Sequence, residues 1–266
     1  MTKIYIGTAG WTIPSFLKSA FPIEGTHLER YAQVFNAVEI NSSFYREHRA
    51  DTYRRWADSV PEDFRFSVKL AREFIHEARL RETGPALSAS LDAISALGKK
   101  WGALLVQLPP SLMFDAKVAE NFLTALKEST PRNVRIFWEP RHLSWAWAEA
   151  EHFFARHDFP RIWADPEPCP HRDAPESAVR YDRWHGSPKI YRSNYEADFL
   201  KEQANRLRSR TNENWCIFDN TTFGCATRNA LELRALLEMP NQYEATGHHE
   251  ILMRTEFPAN PAERLM

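Results

Sequence analysis

The stretch "FNAVEINSSFYR", residues 35–46, decides how this chain folds. Its first half alternates as a β-strand does, with Val38 and Ile40 on one face and Glu39 and Asn41 on the other. A carboxylate between two branched apolar residues does not suit a strand buried on both faces. In a barrel the two faces differ: one set of side chains meets the surrounding helices and the other lines the interior. Val38 and Ile40 then face helices, and Glu39 and Asn41 face inward.

Working outward, similar runs recur: "IYIGT" (4–8), "AVEIN" (37–41), "RFSVKL" (65–70), "ALLVQL" (103–108), "RIFWE" (135–139), "RIWAD" (161–165), "VRYDRWHG" (179–186) and "WCIFDN" (215–220), eight in all. Helical signals separate most of them. Thr26 and Glu29 make a capping box ahead of Leu28, Tyr31 and Phe35. Leu87, Leu91, Ile94 and Leu97 fall at helical spacing, with Gly98 as a stop. Asp115 caps a helix carrying Val118, Phe122 and Leu126. Leu200, Ala204 and Leu207 form a further stripe, as do Ala230, Leu233 and Leu237. Eight strand–helix alternations predict a single α/β domain, a (β/α)8 TIM-barrel-like fold over residues 1–266 with its core at about 3–240. The alternative, an open doubly wound sheet, calls for a glycine-rich first turn that "GTAGW" does not supply. The four prolines of "DPEPCPHRDAPES" (165–177) predict an irregular sixth crossover, and the tail after Met239 shows no clear element.

The bulk numbers fit such a domain. The chain has 266 residues, 43% hydrophobic and 26% charged, with a formal net charge of -1. A near-zero net charge gives no global field toward nucleic acid or an anionic membrane. Cys169, Cys216 and Cys225 have neither CxxC nor zinc spacing, which suits a reduced cytoplasmic protein. No window approaches a membrane span, and the first residues lack a signal-peptide core.

Alternation carries the same logic to the other strands. Lys69, Gln107, Glu139, Asp165 and His185 are expected inward at strand ends, where barrel active sites form. The last strand leaves its register open between Asp219 and Asn220. Glu39, Lys69, Glu139 and His185 are the candidate catalytic groups, Glu39 and Lys69 as a proton-transfer pair on adjacent strands. Trp11, Asn41, Tyr45, Gln107, Arg141, His142, Trp145, Asp165, Arg183 and Asn220 are candidate ligand contacts. Arg141 offers a planar fork to a carboxylate or phosphate. Imine chemistry at Lys69 is disfavoured, because a neighbouring Glu39 raises the lysine pKa. No HxH or HExxH spacing appears, so neither metal nor cofactor is expected. A glycosidase pair after strands four and seven is not met, since those places hold Gln107 and His185.

Eight stretches together carry a family resemblance: "IGTAGW" (6–11), "VEINSSFYR" (38–46), "FSVKL" (66–70) with "IH" (75–76), "LVQLPPS" (105–111), "EPRHLSW" (139–145), "RWHG" (183–186) and "FDNTTFGCATRNA" (218–230). In this order they resemble the YecE-like family, domain of unknown function seventy-two. The resemblance implies a TIM-barrel-like fold and supplies no reaction. The chain departs from the usual pattern at Ile13, where an aromatic residue is common, and at "FDN", where two asparagines are typical. The resulting expectation is an uncharacterised protein doing metal-independent acid–base chemistry, hydrolysis or isomerisation, on a small polar, sugar-like or phosphorylated ligand. Two rivals stand beside it. One is nucleic-acid binding or processing through Arg46, Arg49, Arg54, Arg55 and Arg72 interleaved with Phe44, Tyr45 and Tyr53. The other is a non-catalytic small-molecule binding module. The sequence gives no oligomeric state.

Overall fold

The computed structural model describes residues 3–81, 83–170 and 179–239. Eight strands are present: β1 (Ile4–Thr8), β2 (Ala37–Ile40), β3 (Arg65–Lys69), β4 (Trp101–Gln107), β5 (Arg135–Glu139), β6 (Trp163–Asp165), β7 (Val179–Trp184) and β8 (Glu213–Phe218). Between and after them run α1 (His27–Ala32), a single turn α2 (Ser42–Tyr45), α3 (Ala50–Asp58), α4 (Gly84–Ile94), α5 (Ala116–Ser129), α6 (Ala148–His157), α7 (Ala197–Ser209) and α8 (Cys225–Glu238). The expected caps form. Thr26 and Glu29 satisfy each other's backbone N–H in the box that starts α1, and the Asp115 carboxylate accepts from Val118 N to start α5.

The strands pair in parallel as two four-stranded arcs, β1-β8-β7-β6 and β2-β3-β4-β5. Single bridges join the arcs, Ala9 to Glu39 at one seam and Trp138 to Arg161 at the other. At the first seam the Asn36 side chain replaces missing ladder bonds, accepting from Ile6 N and donating to Ile4 O, each at 2.8 Å. Gly7 lets the backbones close there, since a Cβ at that position would stand 2.1 Å from the Ala37 carbonyl oxygen. The result is a TIM-barrel-like ring of parallel strands inside a ring of helices.

Two apolar cores follow from the alternation. The outer one sets Val38, Ile40, Phe66, Val68, Val106 and Trp138 beneath the helices. The inner one fills the lower barrel with Ala103, Leu105, Phe137, Tyr181, Trp215 and Ile217. Tyr181 and Trp215 stack there with centroids 5.8 Å apart. Each such side chain removed from water contributes about 1.5–3 kcal/mol. This plug leaves polar groups to the upper interior, at the carboxyl ends of the strands.

Part of the proline-rich sixth crossover and the whole tail after Met239 lie outside the described residues. Among the described residues no helix is long and apolar enough to cross a membrane.

Candidate active site

Arg183, the fifth residue of β7, is 1% exposed and sits above the apolar plug. A buried guanidinium must be paired, and this one meets three carboxylates. Its Nη2 and Nε donate to Glu39 Oε1 and Oε2 at 2.8 and 3.0 Å, a two-pronged pairing across the barrel. Nη1 donates to Glu139 Oε2 at 3.2 Å, and Nη2 also lies 2.9 Å from Asp219 Oδ2. Tyr181 donates its hydroxyl to Glu39 Oε2 at 2.8 Å, and that hydroxyl lies 3.0 Å from Ser67 Oγ.

His185 closes the far side, with Nδ1 2.9 Å from Asp219 Oδ2 and Nε2 3.2 Å from Glu139 Oε1. Burial pulls its pKa down, but the Glu139 charge and the two carboxylate hydrogen bonds outweigh this and raise it. An imidazolium satisfies both acids at once. Glu139 Oε1 also accepts from Gln107 Nε2 at 2.8 Å and from Arg141 Nη2 at 2.9 Å. Burial pushes the Glu139 carboxyl up; Arg183, His185 and Arg141 override it and hold the group well below the usual carboxylate range. Asp219 shows the same balance, with Arg183 and His185 outweighing burial.

Lys69, at the end of β3, breaks the pattern. It is 8% exposed, and its Nζ makes no hydrogen bond or ion pair with any described residue. It rests 4.2 Å from the centroid of the Phe44 ring, on the turn α2. Burial pulls its pKa down, the Arg183 charge adds to that, and Glu39, Asp219 and Glu139 only partly compensate, leaving it at about 8. The expected proton-transfer pair of Glu39 and Lys69 is not in hydrogen-bond contact among the described residues. Arg183 reaches Glu39 from the opposite wall and takes both its oxygens. The expectation that Glu39 dominates the lysine is corrected with it.

The other candidates divide by register. Gln107, Glu139, Arg183 and His185 line one cluster with Glu39, and Arg141 enters it from the loop after β5. Asp165 does not join. It is in register with Trp184, which packs in the outer core, and it accepts the Tyr195 hydroxyl at 2.7 Å. Ile162 takes the inward place on that chain segment, because the interior at that level is apolar. Asn220 also belongs to the outer register. Ile217 is inside, so Asp219 follows it inward. The Asn220 amide donates to Ser193 O and Asn229 Oδ1, fastening the loop after β7. Trp145 is 1% exposed, donates to Leu112 O and packs on Trp138 and Phe154, beneath the helices instead of above the barrel. His142 caps the turn that follows it, its Nδ1 accepting from Ser144 N at 3.1 Å. Trp11 meets Trp56 edge-on at 5.1 Å, and Tyr45 stands 74% exposed at the rim. Asn41 is half-buried, with Oδ1 unpaired.

Sequence reasoning passed over Tyr181, Ser67 and Asp219 as site residues. Tyr181 was within reach, two residues before Arg183 on the same face. Of the arginines proposed for nucleic acid, Arg54 pairs with Asp51 and Arg72 with Glu77, and Tyr53 is 2% exposed. Among the described residues no group of three or more His, Cys, Asp or Glu is arranged to hold a metal ion.

The sequence and the fold have counterparts in known proteins. The YecE protein of Escherichia coli K12 is 33% identical over 106 residues, covering 40% of this chain and 38% of YecE; the chain thus spans under half the length of that relative. YunF of Bacillus subtilis is 23% identical over 271 residues, covering 89% of this chain and 95% of YunF. A crystal structure from Thermotoga maritima, described as a DUF72 family protein, superposes with a TM-score of 0.71 at 24% identity, covering 89% of this chain and 100% of that one. The family model for the protein of unknown function DUF72 matches residues 5–250, and the chain belongs to that family.

Proposed function

We propose that the polar cluster at the carboxyl ends of the strands is a catalytic site for acid–base chemistry, hydrolysis or isomerisation, on a small anionic molecule. The observation that carries this reading is Lys69, a buried cation left without a carboxylate. Four cationic side chains, Lys69, Arg141, Arg183 and His185, meet three acids, Glu39, Glu139 and Asp219. The acids are already engaged by arginine and histidine, so the unmatched charge belongs to Lys69. A carboxylate or phosphate on the ligand supplies the missing counter-charge. With a pKa of about 8, Lys69 exists in both protonation states near neutral pH, as a group that gives and takes a proton must. Glu39, Glu139 and His185 hold the charge and shape around it; Arg183 and Tyr181 take the Glu39 oxygens, Arg183, Arg141, Gln107 and His185 take those of Glu139, and the His185 ring lies between Asp219 and Glu139. Chemistry by this set needs no metal ion, because the acidic oxygens serve arginine and histidine instead.

Proton NMR in deuterated water, on pooled sugar phosphates and small hydroxy and oxo acids, tests the reading. The wild type is expected to consume a compound or exchange its C–H protons, and Lys69→Met is expected to do neither. Saturable binding with no exchange or turnover would point to a non-catalytic binding module instead.

A further inference from the structure

We propose that Lys69 forms a covalent imine with its ligand, so that the substrate class is aldehydes or ketones carrying a carboxylate or phosphate. This rests on the reading of Lys69 as the reacting group of the pocket. A nucleophilic amine needs a lone pair that no neighbour holds, and access to the carbonyl carbon. Lys69 Nζ has no hydrogen-bond acceptor among the described residues, though three carboxylates stand in the same ring. Arg183 and His185 occupy those acids. One side of the amine is closed by the Phe44 ring at 4.2 Å, which Tyr45 backs edge-on at 5.0 Å. The apolar face removes water from that side, and the Arg183 charge disfavours the ammonium. Arg141 completes the arrangement. Its side chain is 21% exposed against 1% for Arg183, so it is the arginine that an anionic group on the ligand reaches.

The step balances without an added reactant. The ammonium loses a proton, and the amine lone pair forms the C–N bond while the carbonyl oxygen takes that proton up. A second proton then passes from the nitrogen to the new hydroxyl, the nitrogen lone pair forms the C=N bond, and the C–O bond breaks as water departs. The ammonium and the carbonyl become a protonated imine and one water. The positive charge stays on the same nitrogen, so the ring keeps its charge balance. The imine withdraws electrons from the neighbouring carbon, whose proton is then labile, which links this step to isomerisation.

Reductive trapping is the test. The protein is incubated separately with pyruvate, glyoxylate and dihydroxyacetone phosphate, each with cyanoborohydride, and adducts are located by peptide mass mapping. Lys69 is expected to be labelled by at least one probe, at least tenfold faster than the exposed Lys18, Lys99 and Lys117 at pH 7, with a rate that rises as pH approaches about 8. Groups coupled to that titration are Arg183, Glu39, Asp219 and Glu139 across the ring and His76 on the turn after β3. Lys69→Arg keeps the charge and is expected to lose the adduct. Labelling of Lys69 no faster than the surface lysines by all three probes overturns the imine. If C–H exchange still depends on Lys69 in that case, the acid–base reading stands alone; if exchange is also unaffected by Lys69→Met, both fail.

Discussion

Arg183 and Lys69 are two buried cations in one ring, and they are treated in opposite ways. Arg183 has three carboxylates on its five donors. Lys69 has an aromatic face and no acid. The Arg183 charge is matched, and burial that would destabilise it is outweighed by Asp219, Glu39 and Glu139. The Lys69 charge has the Phe44 ring face and no directly paired acid, and burial with the Arg183 charge outweighs the more distant Glu39, Asp219 and Glu139, so the ammonium is disfavoured. An unpaired buried ammonium adds nothing to stability, so the contrast separates the part of the ring that holds the barrel together from the part we propose to meet a ligand.

The largest effect that sharpens the contrast is on the matched side. Arg183→Met leaves Glu39 with only the Tyr181 hydroxyl and takes one ion pair each from Glu139 and Asp219, and is expected to cost about 3–5 kcal/mol in denaturant unfolding. On the unmatched side the sign reverses. A pKa lowered from 10.5 to about 8 corresponds to roughly 3 kcal/mol of disfavoured charge. Lys69→Met is therefore expected to raise stability by up to about that amount while abolishing turnover. A destabilised Lys69→Met would break the contrast.

The pH dependence gives a finer separation. Below pH 8 the folded and unfolded chains both hold the Lys69 proton, and the penalty is constant. Between pH 8 and 10.5 the unfolded chain holds more of it, so wild-type stability gains on Lys69→Met and the gap closes. Glu139 and Asp219 act at the other end. Their folded pKa values are lowered, so their contribution is full above the ordinary carboxylate range and is lost as pH falls below about 4. Glu139→Gln is expected to flatten that acid limb in thermal melts. The smallest effect lies outside the ring: Asp165→Asn keeps an acceptor for Tyr195 and is expected to change stability by less than about 1 kcal/mol, with turnover intact.

Much of this was legible in the chain and some was not, for physical reasons. All eight strands announce themselves by period-2 alternation, and Glu39 between Val38 and Ile40 already points to an interior that differs from the helix side. The register of β8 was not legible, because Cys216 and Phe218 on one face are as apolar as Ile217 on the other. Asp165 misleads in the same way. Polarity at a strand end suggests the interior, yet a three-residue strand can send that polarity to a neighbouring loop. The state of Lys69 depends on which cation wins Glu39. That is settled by Arg183 reaching across the barrel from a residue 144 positions away, a distance no local pattern encodes.

The most direct measurement is the titration of the Lys69 amine itself, by NMR correlating Nζ with the side-chain methylene protons and assigned with the Lys69→Met spectrum. The unmatched-cation account predicts a midpoint near pH 8, moving upward when an anionic ligand binds. A midpoint near the ordinary lysine value of about 10.4, unmoved by ligand, would contradict it.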